Sequence, residues 1–190
     1  VEVNLCNFAI NNIAGRHTCA AGICAGSGRN IKISMGEVSG FHSAVYLDGL
    51  GAHVVEHIVA RNNFASGLAL RGYDSIIRNN LVEDTGGSAL AAMNSFYQNC
   101  ANGACGILLW SANRSAVYNN TVTFSDRTAD NVRLGIFITD AGAEGTIAVG
   151  NVVSHAHAGL VMNPYVEYRD NRMTDTICPY ESGVDLGNND

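Results

Sequence analysis

The sequence predicts an all-β chain wound as a single-stranded, right-handed parallel β-helix of about eight coils, with three short strands in each coil. Three observations carry this reading. Apolar residues recur in phase about every 22 residues, asparagines fall two places before each apolar anchor, and a small residue followed by an apolar-x-apolar stretch returns at the same interval. Composition agrees. The chain is 47% hydrophobic and 15% charged, with 21 Gly and 2 Pro, which suits an ordered, turn-rich β protein better than a disordered chain.

The anchors justify the elements in order. Asn12 precedes Ala14, Asn80 precedes Val82, and Asn99 precedes Ala101. Asn120, Asn151 and Asn171 precede Val122, Val153 and Met173. Gly36 before Val38 and His57 before Val59 fit as substituted copies. The stretches before the asparagines (IKIS, VVEH, IIRN, FYQN, AVYN, IAVG, EYRD) read as one strand, the anchor as a second, and GICA, AVYL, GLAL, ALAA, GILL, GIFI, GLVM and GVDL as a third. The segment TFSDRTADNVR reads as an insertion. Stacking such coils at about 4.8 Å places equivalent residues above one another. Val38, Val59, Val82, Ala101, Val122 and Val153 would then fill one core column. The asparagines would form an amide ladder at a bend, where Asn tolerates left-handed backbone. A leucine-rich repeat would show L-x-x-L-x-L, and a sandwich would lack a common phase. Parallel connections are right-handed as a rule.

The Asn-x-hydrophobic and Gly-hydrophobic-x-hydrophobic repeat resembles the right-handed parallel β-helix repeats of the pectate lyase-like superfamily, over residues of about 3 to 187. The resemblance implies the fold. It leaves the activity open among polysaccharide lyases, polygalacturonase-type hydrolases, uronan epimerases, tailspikes and non-catalytic sugar-binding domains. The Arg-x-Pro-x-x-Arg motif of pectate lyases is absent, as are the Asn-Thr-Asp, Asp-Asp, Gly-His-Gly and Arg-Ile-Lys motifs of polygalacturonases.

In the superfamily the sheet that follows the Gly-led turn usually forms the substrate groove. Its outward column would be Cys24, Tyr46, Ala69, Ala91, Leu108, Phe137, Val161 and Asp185. The next column would be Gly26, Asp48, Arg71, Met93, Trp110, Thr139, Asn163 and Gly187. The first column is mostly apolar, which points to self-association through Tyr46, Leu108, Phe137 and Val161, or to cover by another segment. A sugar groove is the other reading, with Tyr46, Trp110 and Asn163 contacting substrate. Asp48, Arg71, Arg133, Asp140 and His157 are the catalytic candidates if they converge. The plainer alternative for Asp48 and Arg71 is a surface ion pair between neighbouring coils. Glu83 and Asp84 form the one adjacent acidic pair, read as solvated turn residues rather than a hydrolase dyad. His155 and His157, near Asp126, Asp130 and Arg133, make a His-x-His pair with no third ligand fixed by spacing. His42 falls at a turn position equivalent to His157. No metal or other cofactor is expected, with Ca²⁺ allowed because uronan lyases often use it.

A net charge of −6 and a single lysine, Lys32, argue against nucleic acid or an anionic membrane as partner. No apolar run reaches the roughly 20 residues of a membrane helix. The expected partner is a polysaccharide or oligosaccharide, with homo-oligomerisation as the alternative. Six cysteines, two pairs of them spaced C-x4-C (19/24 and 100/105), suggest disulfides and a secreted or extracytoplasmic protein. Asn113 and Asn119 begin glycosylation-type triplets. Residues 1–190 read as one domain, as a mature chain or a fragment lacking N-terminal coils or a cap.

Overall fold

The computed structural model describes residues 3–11, 21–85, 103–125, 132–139 and 143–190. The described residues hold nineteen strands and no helix. In the N-terminal part these are β1 (Val3–Asn11), β2 (Ile23–Ala25), β3 (Ile31–Ser39), β4 (Ser43–Asp48), β5 (Val54–Arg61) and β6 (Ser66–Arg71). The middle part holds β7 (Ile76–Arg78), β8 (Leu81–Glu83), β9 (Gly103–Trp110), β10 (Ala116–Tyr118), β11 (Thr121–Thr123) and β12 (Val132–Thr139). The C-terminal part holds β13 (Ile147–Val149), β14 (Val152–Ser154), β15 (Ala158–Met162), β16 (Glu167–Arg169), β17 (Arg172–Thr174), β18 (Cys178–Glu181) and β19 (Val184–Asp185).

The described strands pair in parallel and form two sheets. The small sheet has seven strands in the order β18-β15-β12-β9-β6-β4-β2. The large sheet has twelve and forks at β5, which pairs with both β7 and β8. Each circuit of the chain visits the large sheet and then the small one, and each strand sits on its counterpart one circuit earlier. This is the expected parallel β-helix.

The core column runs Ile10, Val38, Ala60, Val82, Val122, Val153, Met173. The register passes through Ala60, which is buried, whereas Val59 pairs with Leu81 and is half-buried on the outer side. In the first circuit Ile10, not Ala14, occupies the column. The expected rung through Asn99 and Ala101 is not interposed either. Val82 pairs directly with Val122, and Ala69 directly with Leu108. Ala101, Ala91 and Met93 lie outside the described residues.

The bend has its own column. Asn7, Met35, His57, Asn79, Asn119, Gly150, Asp170 and Asn188 occupy successive circuits, all with φ between 52° and 64°. The following residue is Phe8, Gly36 or Ile58 in the first three circuits and Asn80, Asn120, Asn151, Asn171 or Asn189 thereafter. The two asparagines of an Asn-Asn pair therefore have different tasks. The first takes the left-handed conformation and the second builds the ladder. Asn80 Nδ2 donates to Asn120 Oδ1 at 2.9 Å and to the Val55 carbonyl at 3.0 Å. Asn120 repeats this on Asn151 and Ile77, and Asn151 on Asn171 and Val117. Asn171 donates to Asn189 Oδ1 at 3.2 Å.

A second ladder stands at the turn leading into the large sheet. Ser75 N–H donates to Ser115 Oγ, and Ser115 N–H to Thr146 Oγ1. His53 N–H donates to Ser75 Oγ, and the His53 ring accepts from Ile31 N–H at Nδ1. All four side chains are buried.

The glycines within the small-sheet strands are packing positions. A Cβ at Gly106 would collide with Val122 of the next circuit, and one at Gly135 with Val153. At the matching place in β4 stands Ala44, and by register its next-circuit partner is Ala60 rather than a valine. A Gly–Val pair is exchanged there for Ala–Ala, which shares the space between the two positions with one side-chain carbon fewer.

Candidate functional site

The outer face of the small sheet carries the sequence-predicted columns, with shifts. Tyr46, Ala69, Leu108, Phe137 and Val161 are aligned, and Glu181, not Asp185, continues them. Asp185 pairs with Tyr168 in the large sheet. The expected open apolar stripe is covered in its middle: Ala69 is 0% and Leu108 3% exposed. With Cys105 they form a second apolar cluster on which Tyr46, Trp110, Leu134 and Phe137 pack.

Beside this column run Asp48, Arg71, Trp110 and Thr139 in register. With no rung between β6 and β9, Arg71 and Trp110 become immediate neighbours. Ala69 is small, and the Tyr46 and Trp110 rings close over it with centroids 5.8 Å apart and planes at 33°. The Tyr46 hydroxyl donates to Asp48 Oδ2 at 3.4 Å, and Arg71 Nη1 lies 3.4 Å from Asp48 Oδ1. Burial raises the Tyr46 phenol above its usual pKa, and the Asp48 charge adds to that. Asp48 is 29% and Arg71 50% exposed, so both present polar atoms to solvent. The cluster therefore sets two partly buried aromatic rings beside an acceptor and a donor that reach solvent.

The other candidates lie elsewhere. Arg133 and His157 are adjacent: Arg133 N–H donates to His157 Nδ1 at 3.2 Å, and His157 N–H to the Arg133 carbonyl at 2.8 Å. They stand where the small-sheet strands begin, whereas Asp48 and Trp110 stand where they end. Six residues of strand separate Arg133 from Thr139, about 20 Å. Arg133 is buried, with its guanidinium 5.4 Å from the Phe124 ring centroid. Register puts His42 and His157 at equivalent turn positions, immediately before Ser43 and Ala158. Asn163 follows β15, and its Oδ1 accepts from Tyr165 N–H at 3.1 Å. Four circuits of about 4.8 Å separate its level from that of Asp48, about 19 Å. Asp140, Asp126 and Asp130 lie outside the described residues.

His155 and His157 do not act as a pair. His155 takes a left-handed turn position and its Nε2 is 3.6 Å from Asp175 Oδ2. Among the described residues no group of three His, Cys, Asp or Glu could hold a metal. Glu83 and Asp84 also divide. Glu83 is 3.2 Å from Arg61 Nη1, and Asp84 accepts from Ser125 N–H at a left-handed turn. Cys24 is a free thiol, as are Cys6 and Cys178, so the expected 19/24 bridge does not form.

Sequence reasoning missed two polar groups. One is the hydroxyl ladder, whose signal is a Ser or Thr directly before each short strand (Ser75-Ile-Ile, Ser115-Ala-Val, Thr146-Ile-Ala). The other is Glu56, buried on the large sheet between Lys32 at 2.8 Å and Arg78 at 2.5 Å. Arg78 also donates to the Tyr118 hydroxyl at 2.8 Å. The hydrogen bond from Lys32, ahead of that from Arg78, holds the Glu56 carboxyl below the usual carboxylate range.

A family model described as a right handed beta helix region matches residues 3–122. The chain belongs to the right-handed beta helix family. No curated protein and no solved structure matches it. Membership of the right-handed beta helix family accounts for the ladders and the stacked core. Function must be argued from the surface, because one such scaffold hosts many activities.

Proposed function

We propose that this β-helix binds carbohydrate on the outer face of its small sheet. The observation that carries the reading is the Tyr46–Trp110 ring pair standing beside the Asp48–Arg71 pair. Aromatic faces stack on the C–H faces of sugar rings, and a carboxylate–guanidinium pair accepts from and donates to hydroxyls. The proposal is for binding rather than turnover. A hydrolase would need two carboxyls about 5 to 10 Å apart across the bond, and Asp48 already meets Arg71 and the Tyr46 hydroxyl. Arg133 and His157 stand at the far ends of the strands. An extracytoplasmic location belongs to the same proposal. In its support, the C-x4-C spacing of Cys100 and Cys105 suits a disulfide.

Affinity electrophoresis through gels containing soluble polysaccharides tests the reading. The wild-type chain should be retarded by at least one polysaccharide. A Tyr46→Ala/Trp110→Ala double variant that keeps its β circular-dichroism signal should lose about tenfold or more in affinity. Equal retardation of the folded double variant would refute this site.

A further inference from the structure

We infer that the face is built for neutral saccharides and discriminates against acidic ones. The inference rests on the carbohydrate reading above and narrows it. Arg71 is the cation of the cluster, and its guanidinium lies 3.4 Å from the Asp48 carboxylate. A uronate carboxylate arriving there would meet Asp48 first as a repelling charge and then as a competitor for the same guanidinium. The whole chain adds to this, with a net charge of −6. A hydroxyl has no such conflict, because it can donate to Asp48 and accept from Arg71 at once. A vicinal diol would span the two. Among the described residues the column carries no further charge: after Trp110 the register places Thr139, and Asn163 follows β15. On the other side the buried methyl of Ala69 and the Leu108 side chain underlie the Tyr46 and Trp110 rings, an apolar platform suited to an uncharged pyranose face.

The prediction is that Asp48 acts as a specificity gate. Its removal frees Arg71 to take a carboxylate, which a guanidinium does well. Calorimetric titration of the full chain tests this with cello-, xylo-, manno- and laminari-oligosaccharides on one arm and oligogalacturonate on the other. The expected result is binding of at least one neutral oligosaccharide by the wild type and none of oligogalacturonate. Asp48→Asn should then gain oligogalacturonate binding, about tenfold or more over the wild type, and lose that gain on adding salt. Arg71→Gln gives a second arm that does not depend on the first variant folding. It should weaken the neutral ligand and leave oligogalacturonate unbound. A wild type that prefers oligogalacturonate overturns the gate and leaves the carbohydrate reading standing. A folded Asp48→Asn chain with no gain for the acidic ligand also overturns the gate. Absence of binding to either arm by the wild type and both variants overturns the carbohydrate reading and the gate with it.

Discussion

The first three circuits and the later ones make the same bend by different chemistry. In the N-terminal part the residue after the left-handed position is Phe8, Gly36 or Ile58, and the large-sheet strand runs through the bend without a break, as in β3 and β5. From Asn80 onward the strand splits into two three-residue pieces, such as β7 and β8. The hydrogen bonds explain the difference. In the ladder circuits the Asn80, Asn120 and Asn151 N–H groups donate to the next Asn Oδ1 rather than to a backbone carbonyl. Ile58 N–H marks the junction, donating to Asn80 Oδ1 at 2.9 Å. The left-handed residue itself is the same in both parts in conformation but not in type. Met35 has φ 55° and His57 φ 54°, although such residues adopt this region at a cost. The bend is therefore imposed by stacking, and the asparagines answer the polar groups that the bend leaves inside.

Changes aimed at this contrast should differ in size. The largest effect is expected at Asn120, whose amide accepts from Asn80 and donates to Ile77 and Asn151. Asn120→Ala leaves several buried groups without partners and should cost about 3 kcal/mol or more, measured by urea unfolding. Ile58→Val, at the matching place in the apolar part, should cost only about 1 kcal/mol. Equal costs would mean that the two parts do not differ in chemistry.

Next comes packing across the turn. A Cβ at Gly135 would collide with Val153 and lie 2.5 Å from the Gly159 carbonyl oxygen. Gly135→Ala should cost about 2 kcal/mol by overpacking. Combined with Val153→Ala it should cost at least about 1 kcal/mol less than the sum of the single changes, following the Ala44–Ala60 precedent. Strict additivity would contradict that coupling.

A smaller contrast concerns pH. Burial lowers the pKa of both His42 and His53 from 6.5, and both lie in the N-terminal part. The unfolded chain takes up these protons near pH 6.5, while the folded chain resists them. Stability is therefore complete above about pH 6.5 and declines as pH falls toward the depressed folded values. Glu56 adds an effect of the same direction at lower pH, because its carboxylate is held below 4.5, chiefly by Lys32. At pH 5, protection from hydrogen exchange relative to the intrinsic rate at that pH should fall first in β3 to β6, with the amides of Asn120 and Asn151 following later. Uniform loss of protection would argue against two differently held parts. The smallest effect is expected at the exposed Arg114–Asp74 pair at 2.8 Å, where Arg114→Ala should leave the urea midpoint unchanged.

The sequence made the fold legible wherever polar residues mark the bend. Asn80, Asn120, Asn151 and Asn171 set the phase, and Val82, Val122 and Val153 followed from it. Phase slipped by one residue at Val59 because Ile58 is apolar and His57 resembled the missing marker. It slipped by a whole rung after Val82, because Asn99 and Ala101 match the repeat locally while the pairing of β8 with β11 is set by three-dimensional stacking. The site was legible in its members but not in its neighbourhoods. Tyr46, Asp48, Arg71 and Trp110 were found as column residues, and the false Met93 rung hid the contact between Arg71 and Trp110. Arg133 and His157 drew notice by residue type, yet strand length alone keeps them from the cluster.

Trp110 is the one tryptophan in the chain, and it sits in the proposed site. Its fluorescence, followed while a neutral oligosaccharide identified by gel retardation is added, is the most direct test of a carbohydrate-binding face. The expected result is a saturable change in emission that Tyr46→Ala weakens. Saturable binding by calorimetry with no change in Trp110 emission would place the sugar elsewhere on the helix and contradict the site.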